Sequence, residues 1–223
     1  MRDNSYIGER IKEIHAALPD GVTLIAVSKY HPAEAIEAAY SAGQRDFGES
    51  KAQDLRTKHE ALPKDIRWHF IGHLQSNKIK YIAPFIHLIH SIDSYRLLAE
   101  VDKHAAKAGR CIPCLLQIHI AQEESKFGFT PDECMKMLDA GEWKSLKNIE
   151  LHGLMCMASN TDDKEAIRNE FNAVRQLFTK IKELHFRDDG RFSILSAGMS
   201  DDYPIAIECG STHIRIGSSI FCE

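Results

Sequence analysis

No apolar run in this 223-residue chain approaches the length of a membrane span. Its first residues, MRDNSYIGERIKEIHAAL, mix charges with apolar residues at helical spacing, without the continuous apolar core of a signal peptide. Neither sign of charge dominates. Lys and Arg total 28 against 32 Asp and Glu, a net charge of −4, which gives no footprint for nucleic acid or an acidic membrane. No internal repeat, low-complexity tract or Pro/Gly/Ser-rich break divides the chain. The expectation is a soluble cytoplasmic protein with one domain over residues 1–223, monomeric or weakly dimeric.

A disulfide framework is also missing. The six cysteines (111, 114, 134, 156, 209, 222) are scattered through apolar or helical patterns and read as reduced, partly buried thiols. Cys111 and Cys114 form one C-x-x-C, but it opens an apolar run, CIPCLLQIHI, and has no second pair to complete a zinc site. Twelve histidines give no metal-ligand spacing, so no metal is expected. His87 and His90, three apart in an expected strand, should face opposite ways, and His69 and His119 also fall in expected strands.

What the chain does have is alternation. Short apolar runs occupy residues 22–28, 45–47, 67–71, 85–92, 112–120, 148–155, 192–196 and 213–217. Several are β-branched and nearly continuous, as strands buried on both faces of a parallel sheet must be. Amphipathic stretches lie between them, at 32–43, 50–62, 76–83, 94–109, 131–141, 164–185 and 201–210, after a first helix near 4–18. Ser94 and Thr130 are candidate N-caps, Pro32 and Pro131 suit first helical turns, and Gly43 and Gly109 suit helix ends. The expected fold is an α/β, TIM-type (β/α)₈ barrel with an extra N-terminal helix; a doubly wound open sheet is the rival, because strand counting does not prove closure.

Barrel chemistry sits at the C-terminal ends of strands and in the loops that follow. That rule selects Lys29, at the end of VTLIAVSK. Counting by twos puts it on the face of Ile25 and Val27, so that its ammonium would emerge over apolar neighbours, where a Schiff-base lysine is favoured. The alternative is a solvated lysine at a strand end. The loop Ser196-Ala197-Gly198-Met199-Ser200-Asp201-Asp202 follows the seventh strand and leads into a helix, a composition suited to a phosphate. Gly210-Ser211-Thr212 and Arg215-Ile216-Gly217-Ser218-Ser219 bracket the eighth strand, where barrels recurrently place a phosphate cup. Each could equally be a cap or a turn. Arg215, inside a strand, needs a partner: a bound ligand, or a barrel acid such as Glu49 or Asp93. Asp46, Glu49 and Asp93 are read as structural acids before catalytic ones.

The strings AVSK (26–29), AGQRDFGES (42–50), WHFIGHLQSNK (68–78), HSID (90–93), KFGF (126–129), HGLM (152–155) and AGMSDDYPIAIECGSTHIRIGSSIF (197–221) run in order over nearly the whole chain. On them the sequence resembles the pyridoxal phosphate homeostasis family, relatives of the N-terminal barrel of alanine racemase. The resemblance implies pyridoxal 5′-phosphate as cofactor, held as an internal aldimine on Lys29, with Arg215 beside the pyridine nitrogen. It implies phosphate contacts from Ser200, Gly217 and Ser218, with Ser196, Met199 and Met155 completing the cofactor-binding set and His73 at most lining the cleft. Ser50 stands where many relatives have Asn, Cys156 and Cys222 are also departures, and the chain stops six residues after Gly217.

The implied role is a cofactor carrier or buffer, with pyridoxal phosphate-dependent apo-enzymes as prospective recipients. A racemase or decarboxylase of this fold type is the alternative. Related racemases add a β domain that supplies a tyrosine acid/base, which is not expected here; Tyr30 could stand in only if the chain bends after Lys29. A cofactor-free lysine aldolase is a third reading.

Overall fold

The computed structural model describes residues 4–120 and 127–222. Eight parallel strands close in sequential order: β1 (Thr23–Val27), β2 (Asp46–Glu49), β3 (Arg67–Phe70), β4 (Leu88–Ile92), β5 (Ile112–Ile118), β6 (Ile149–Cys156), β7 (Ile194–Ser196) and β8 (His213–Ile216). The closing pair aligns Thr23 with His213 and Ala26 with Ile216, which removes both sheet edges and excludes the open-sheet rival.

Helices α1 (Ser5–Ala17), α2 (Ala33–Ser41), α3 (Ala52–Ala61), α4 (Tyr95–Lys107), α5 (Pro131–Ala140), α6 (Lys164–His185), α7 (Tyr203–Glu208) and α8 (Ser218–Phe221) alternate with the strands, α1 preceding the first. Both expected caps form. Ser94 Oγ accepts from the Leu97 amide at 3.2 Å, and Thr130 and Glu133 make a reciprocal capping box.

The strands have two different faces. Leu24, Ala26, Phe47, Trp68, Phe70, Ile89, Cys114, Leu116, Leu154, Leu195, Ile214 and Ile216 pack outward in one large cluster with helix residues such as Ile36, Leu55, Leu98, Val101, Val174 and Ile181. Each fully buried Leu, Ile, Val or Phe among them is worth roughly 1.5–3 kcal/mol against exposure. Alternation turns their neighbours inward, where the apolar set is smaller: Leu88, Leu115 and Met155 cluster there, and Ile25 and Val27 are buried on the same side of the sheet. Buried Asp46, His69, His90, Gln117, Ser196 and Arg215 share that interior.

Two local expectations fail for one reason. Residues 76–83 do not make an α-helix but a 3₁₀ segment, Ser76–Tyr81, and β4 starts at Leu88 instead of residue 85. The Phe85 and Ile86 amides are spent on the Ile82 carbonyl, which carries the turn forward at the expense of the strand. His87 therefore precedes β4 and escapes its alternation. The rings of His87 and His90 both meet His69, with centroids at 5.3 and 5.2 Å, contrary to the expectation that they face apart. His119 likewise lies one residue beyond β5.

Among the described residues the six cysteines are free. Burial pushes the Cys134 and Cys156 thiols up to about 12, so they stay protonated and inert. No helix of the described residues is long and apolar enough to cross a membrane.

Candidate functional site

A half-open cavity of about 540 Å³ lies at the C-terminal mouth of the barrel. It is lined by Val27, Lys29, Ser50, Ile71, Gly72, His73, Gln117, Phe127, Met157, Met199, Ser200, Asp201, Arg215, Gly217 and Ser218.

Val27 and Lys29 both reach it, as counting by twos along β1 requires. The strand ends at Val27, however, and a turn closed by the His31 amide on the Ser28 carbonyl (3.1 Å) carries Lys29 to the rim, where it is exposed. Lys29 lines the mouth cavity together with the apolar Val27, Ile71 and Met157. Tyr30 follows in the left-handed region (φ 70°), an unfavourable conformation for an aromatic residue, and is 77% exposed. The chain thus does bend after Lys29, and the ammonium lies 6.0 Å from the centre of the Tyr30 ring.

The turn is braced from behind. Ser28 Oγ donates to Glu49 Oε1 (2.8 Å), and Lys58 Nζ donates to both Glu49 Oε1 (2.5 Å) and the Ser28 carbonyl (2.9 Å). Glu49 is therefore a structural acid, neutralised by Lys58. Asp93 pairs with His73 at 3.1 Å, and the His73 ring stacks on Phe127 at 3.7 Å. Neither acid is the partner of Arg215.

Arg215 is 4% exposed, and burial pulls its guanidinium below the ordinary value, although an arginine stays charged. Nη1 donates to Ser196 Oγ (2.6 Å) and Nη2 to the Cys156 carbonyl (2.9 Å). Its Nη2 contact uses the main chain of Cys156, so the identity of that side chain is not what holds the arginine.

Opposite β1, the β7–α7 loop is tightly made. Gly198 has φ +96°, and a Cβ there would stand 2.8 Å from Ala206 Cβ and 2.9 Å from Tyr203 Cα, so only glycine fits. Its carbonyl accepts from the Arg215 amide (2.9 Å), while the Met199 amide donates to Asp202 Oδ1 (2.5 Å). The Gly217 amide donates to Ser200 Oγ at 3.4 Å, joining the ends of β7 and β8. Hydroxyls of Ser200 and Ser218 and main-chain N–H groups there offer an anion neutral donors.

Of the residues selected from sequence, Lys29, Met199, Ser200, Arg215, Gly217 and Ser218 share this cavity. Met155 and Ser196 do not reach it. Met155, 1% exposed, packs with Leu88 and Leu115 below, and Met157, just past the end of β6, lines the cavity. Ser196 lies beneath Arg215 as its hydrogen-bond acceptor. Ile71 and Gly72, at the end of the third strand within the string 68–78, line the cavity as the strand-end rule selects; sequence reasoning missed Gln117, although alternation along β5 covers it. The string 126–129 contributes Phe127; Lys126 lies outside the described residues.

At the opposite end of the barrel, Asp46, His69 and His87 bring ligand-type atoms within 4.8 Å of one another, a cluster invisible in the sequence spacing. Both Asp46 oxygens are occupied by the Arg67 fork, Nε at 2.7 Å and Nη2 at 2.5 Å, which makes this an ion-pair cluster. Burial alone would raise the Asp46 carboxyl; hydrogen bonds and charge from His69 and Arg67 outweigh it and hold it far below the usual carboxylate range.

Comparison with known proteins matches residues 3–223 to the family described as alanine racemase, N-terminal domain. A pyridoxal phosphate homeostasis protein of Helicobacter pylori is 40% identical over 204 residues, covering 91% of this chain and 88% of that protein. One from Synechocystis is 39% identical over 214 residues, covering 94% of each. The structure of PipY from Synechococcus elongatus PCC7942 with pyridoxal phosphate bound superposes with a TM-score of 0.88 at 35% identity, over 96% of this chain and 99% of that one. Alanine racemase from E. faecalis, at 16% identity and TM-score 0.72, shares the fold, and this chain covers 57% of it. The mouth cavity and its residues thus belong to a chain that is a member of the pyridoxal phosphate homeostasis protein family, built on the alanine racemase N-terminal domain.

Proposed function

We propose that this chain binds pyridoxal 5′-phosphate at the barrel mouth, tethered as a Schiff base to Lys29, and serves as an intracellular carrier or buffer of that cofactor without robust turnover. The observation that carries the reading is the meeting of Lys29, Arg215, Ser200, Gly217 and Ser218 in one cavity. An amine for a carbonyl, hydroxyl and N–H donors for a phosphate, and a donor-only cation for a ring nitrogen form a donor set that fits this group. A cavity of about 540 Å³ is ample for it. PipY, at 35% identity, has it bound.

Each residue has a distinct task. Lys29 supplies the covalent hold. The hydroxyls of Ser200 and Ser218 and the main chain after Gly217 receive the phosphate, and the Ser200–Gly217 hydrogen bond keeps their two loops in register. Arg215 points a fixed N–H donor at the pyridine nitrogen. The bound ring is an electron sink, and an arginine there keeps its nitrogen unprotonated and the sink weak, which suits storage better than turnover.

Delivery to pyridoxal phosphate-dependent apo-enzymes is the matching role. The exposed position of Lys29 supports it, as does a rim on which Tyr30, Phe127 and Met199 are 77%, 52% and 39% exposed. Loaded protein should restore activity to an apo-enzyme while a scavenger removes free cofactor; restoration that vanishes with the scavenger rules out direct delivery. The racemase or decarboxylase alternative predicts α-hydrogen exchange or CO₂ release from an amino acid well above that of free pyridoxal phosphate. The carrier reading predicts neither.

A further inference from the structure

A chain of hydrogen bonds runs through the barrel interior from mouth to floor. Arg215 Nη1 meets Ser196 Oγ (2.6 Å), Ser196 Oγ meets His90 Nδ1 (3.0 Å), His90 Nε2 meets His69 Nδ1 (2.9 Å), and His69 Nε2 meets Asp46 Oδ1 (3.0 Å). Its members come from β8, β7, β4, β3 and β2, and all are buried. The upper end lines the mouth cavity, and the lower end is held by Arg67.

We propose that Ser196, His90, His69 and Asp46 form a one-way hydrogen-bond wire that positions Arg215 and tunes the electrostatic field it presents to the mouth site. The direction follows from the two ends. Arginine only donates, and a carboxylate only accepts. With one proton on each histidine, the His69 proton faces Asp46, and Ser196, which accepts from Arg215, gives its single proton to His90 Nδ1. His90 must then carry its proton on Nε2 and donate to His69 Nδ1, and His69 donates from Nε2 to Asp46. Reversing the links requires a second proton on His69, which would then donate from both of its nitrogens.

The surroundings favour this arrangement. His69, Arg215, His213 and His87 face His90 from β3, β8 and the start of β4, and all oppose a charge on it. Burial is the larger cause, and with these neighbours it holds the His90 imidazole well below its ordinary value, leaving it neutral. Links pointing the same way polarise one another. Ser196 Oγ therefore carries more negative charge than a lone hydroxyl and offsets more of the Arg215 charge, which has no carboxylate partner of its own among the described residues.

Cutting the wire should raise the positive potential at the mouth and disfavour a protonated cofactor imine. The expected result is a fall in the pH midpoint of the visible band of about half a unit or more. Ser196→Ala and His90→Phe interrupt the wire at different links, and the first changes little volume. Leu115→Met, an interior substitution off the wire, serves as the control.

Two measurements separate this proposal from the cofactor reading on which its spectral half rests. In cofactor-free protein, ¹⁵N NMR of labelled histidine should find His69 and His90 as neutral Nε2–H tautomers. His90 protonated at Nδ1 would overturn the wire whatever the site binds. With pyridoxal phosphate bound, Ser196→Ala and His90→Phe should both lower the midpoint while Leu115→Met leaves it alone. Coloured variants with unmoved midpoints would reduce the wire to a structural contact and sink its proposed role. Colourless parent protein with the expected tautomers would sink the cofactor reading and leave the wire standing as the anchor of Arg215.

Discussion

The two faces of the same eight strands solve opposite problems. Outward, Phe47, Trp68, Phe70 and Leu116 meet helices in a shell that is almost wholly apolar. Inward, an arginine, an aspartate, two histidines and a serine replace most of the branched aliphatic layers that commonly fill such barrels. Burial is complete on both faces, so solvent does not explain the difference. The outer face supplies stability through area removed from water. The inner face holds a charge in place at the mouth, and each polar group there must be matched by a partner to avoid a desolvation penalty.

The sharpest break of this comparison is on the outer face. Trp68→Ala should cost roughly 3–5 kcal/mol in denaturant unfolding yet leave the pH midpoint of the visible band unchanged. Arg215→Leu does the reverse. It strips one partner from Ser196 Oγ and one from the Cys156 carbonyl, a loss of roughly 1–3 kcal/mol, but should change the band strongly. Equal spectral effects from the two would erase the distinction between the faces.

The pH dependence sharpens it further. Burial first, then neighbouring charge, pushes His213 down to about 4, and His90 is also held low. In the unfolded chain both titrate near 6.5, so between that pH and about 4 the unfolded state binds more protons. Stability from these neutral histidines is present above about pH 6.5 and is lost as pH falls towards 4, with a slope of at most about 1.4 kcal/mol per pH unit for each. Urea unfolding midpoints across that window should fall steadily; a flat profile would contradict the polar interior. The Asp46 ion pair adds a further loss at more acidic pH, because its depressed carboxyl stabilises the fold only while ionised. The smallest expected effect is Thr130→Ala at the α5 capping box, about 1 kcal/mol by the same unfolding measurement and nothing at the site.

The sequence made the outer face legible and the inner one only in part. Runs such as residues 22–28 and 112–120 announce buried parallel strands because both faces are apolar or small. Lys29, Ser200, Arg215 and Gly217 were legible as a site because strand ends and loop composition place them at one mouth. The wire was not. Its histidines are 21 residues apart on neighbouring strands, and sequence spacing carries no information on which residue of one strand stands beside which of the next. The longer fourth strand expected over 85–92 concealed it further by suggesting that His87 and His90 diverge. The family string points to Met155 while the cavity lining has Met157, because such a string marks a strand without fixing how far the mouth lies beyond it.

The most direct test of the central claim is to add pyridoxal phosphate to purified protein, record the visible absorbance, reduce with borohydride and map the modified peptide by mass. The account predicts a yellow species and a single reduced adduct on Lys29, both lost in Lys29→Ala while the fold is retained. A colourless protein, or an adduct on another lysine that persists in Lys29→Ala, would contradict it.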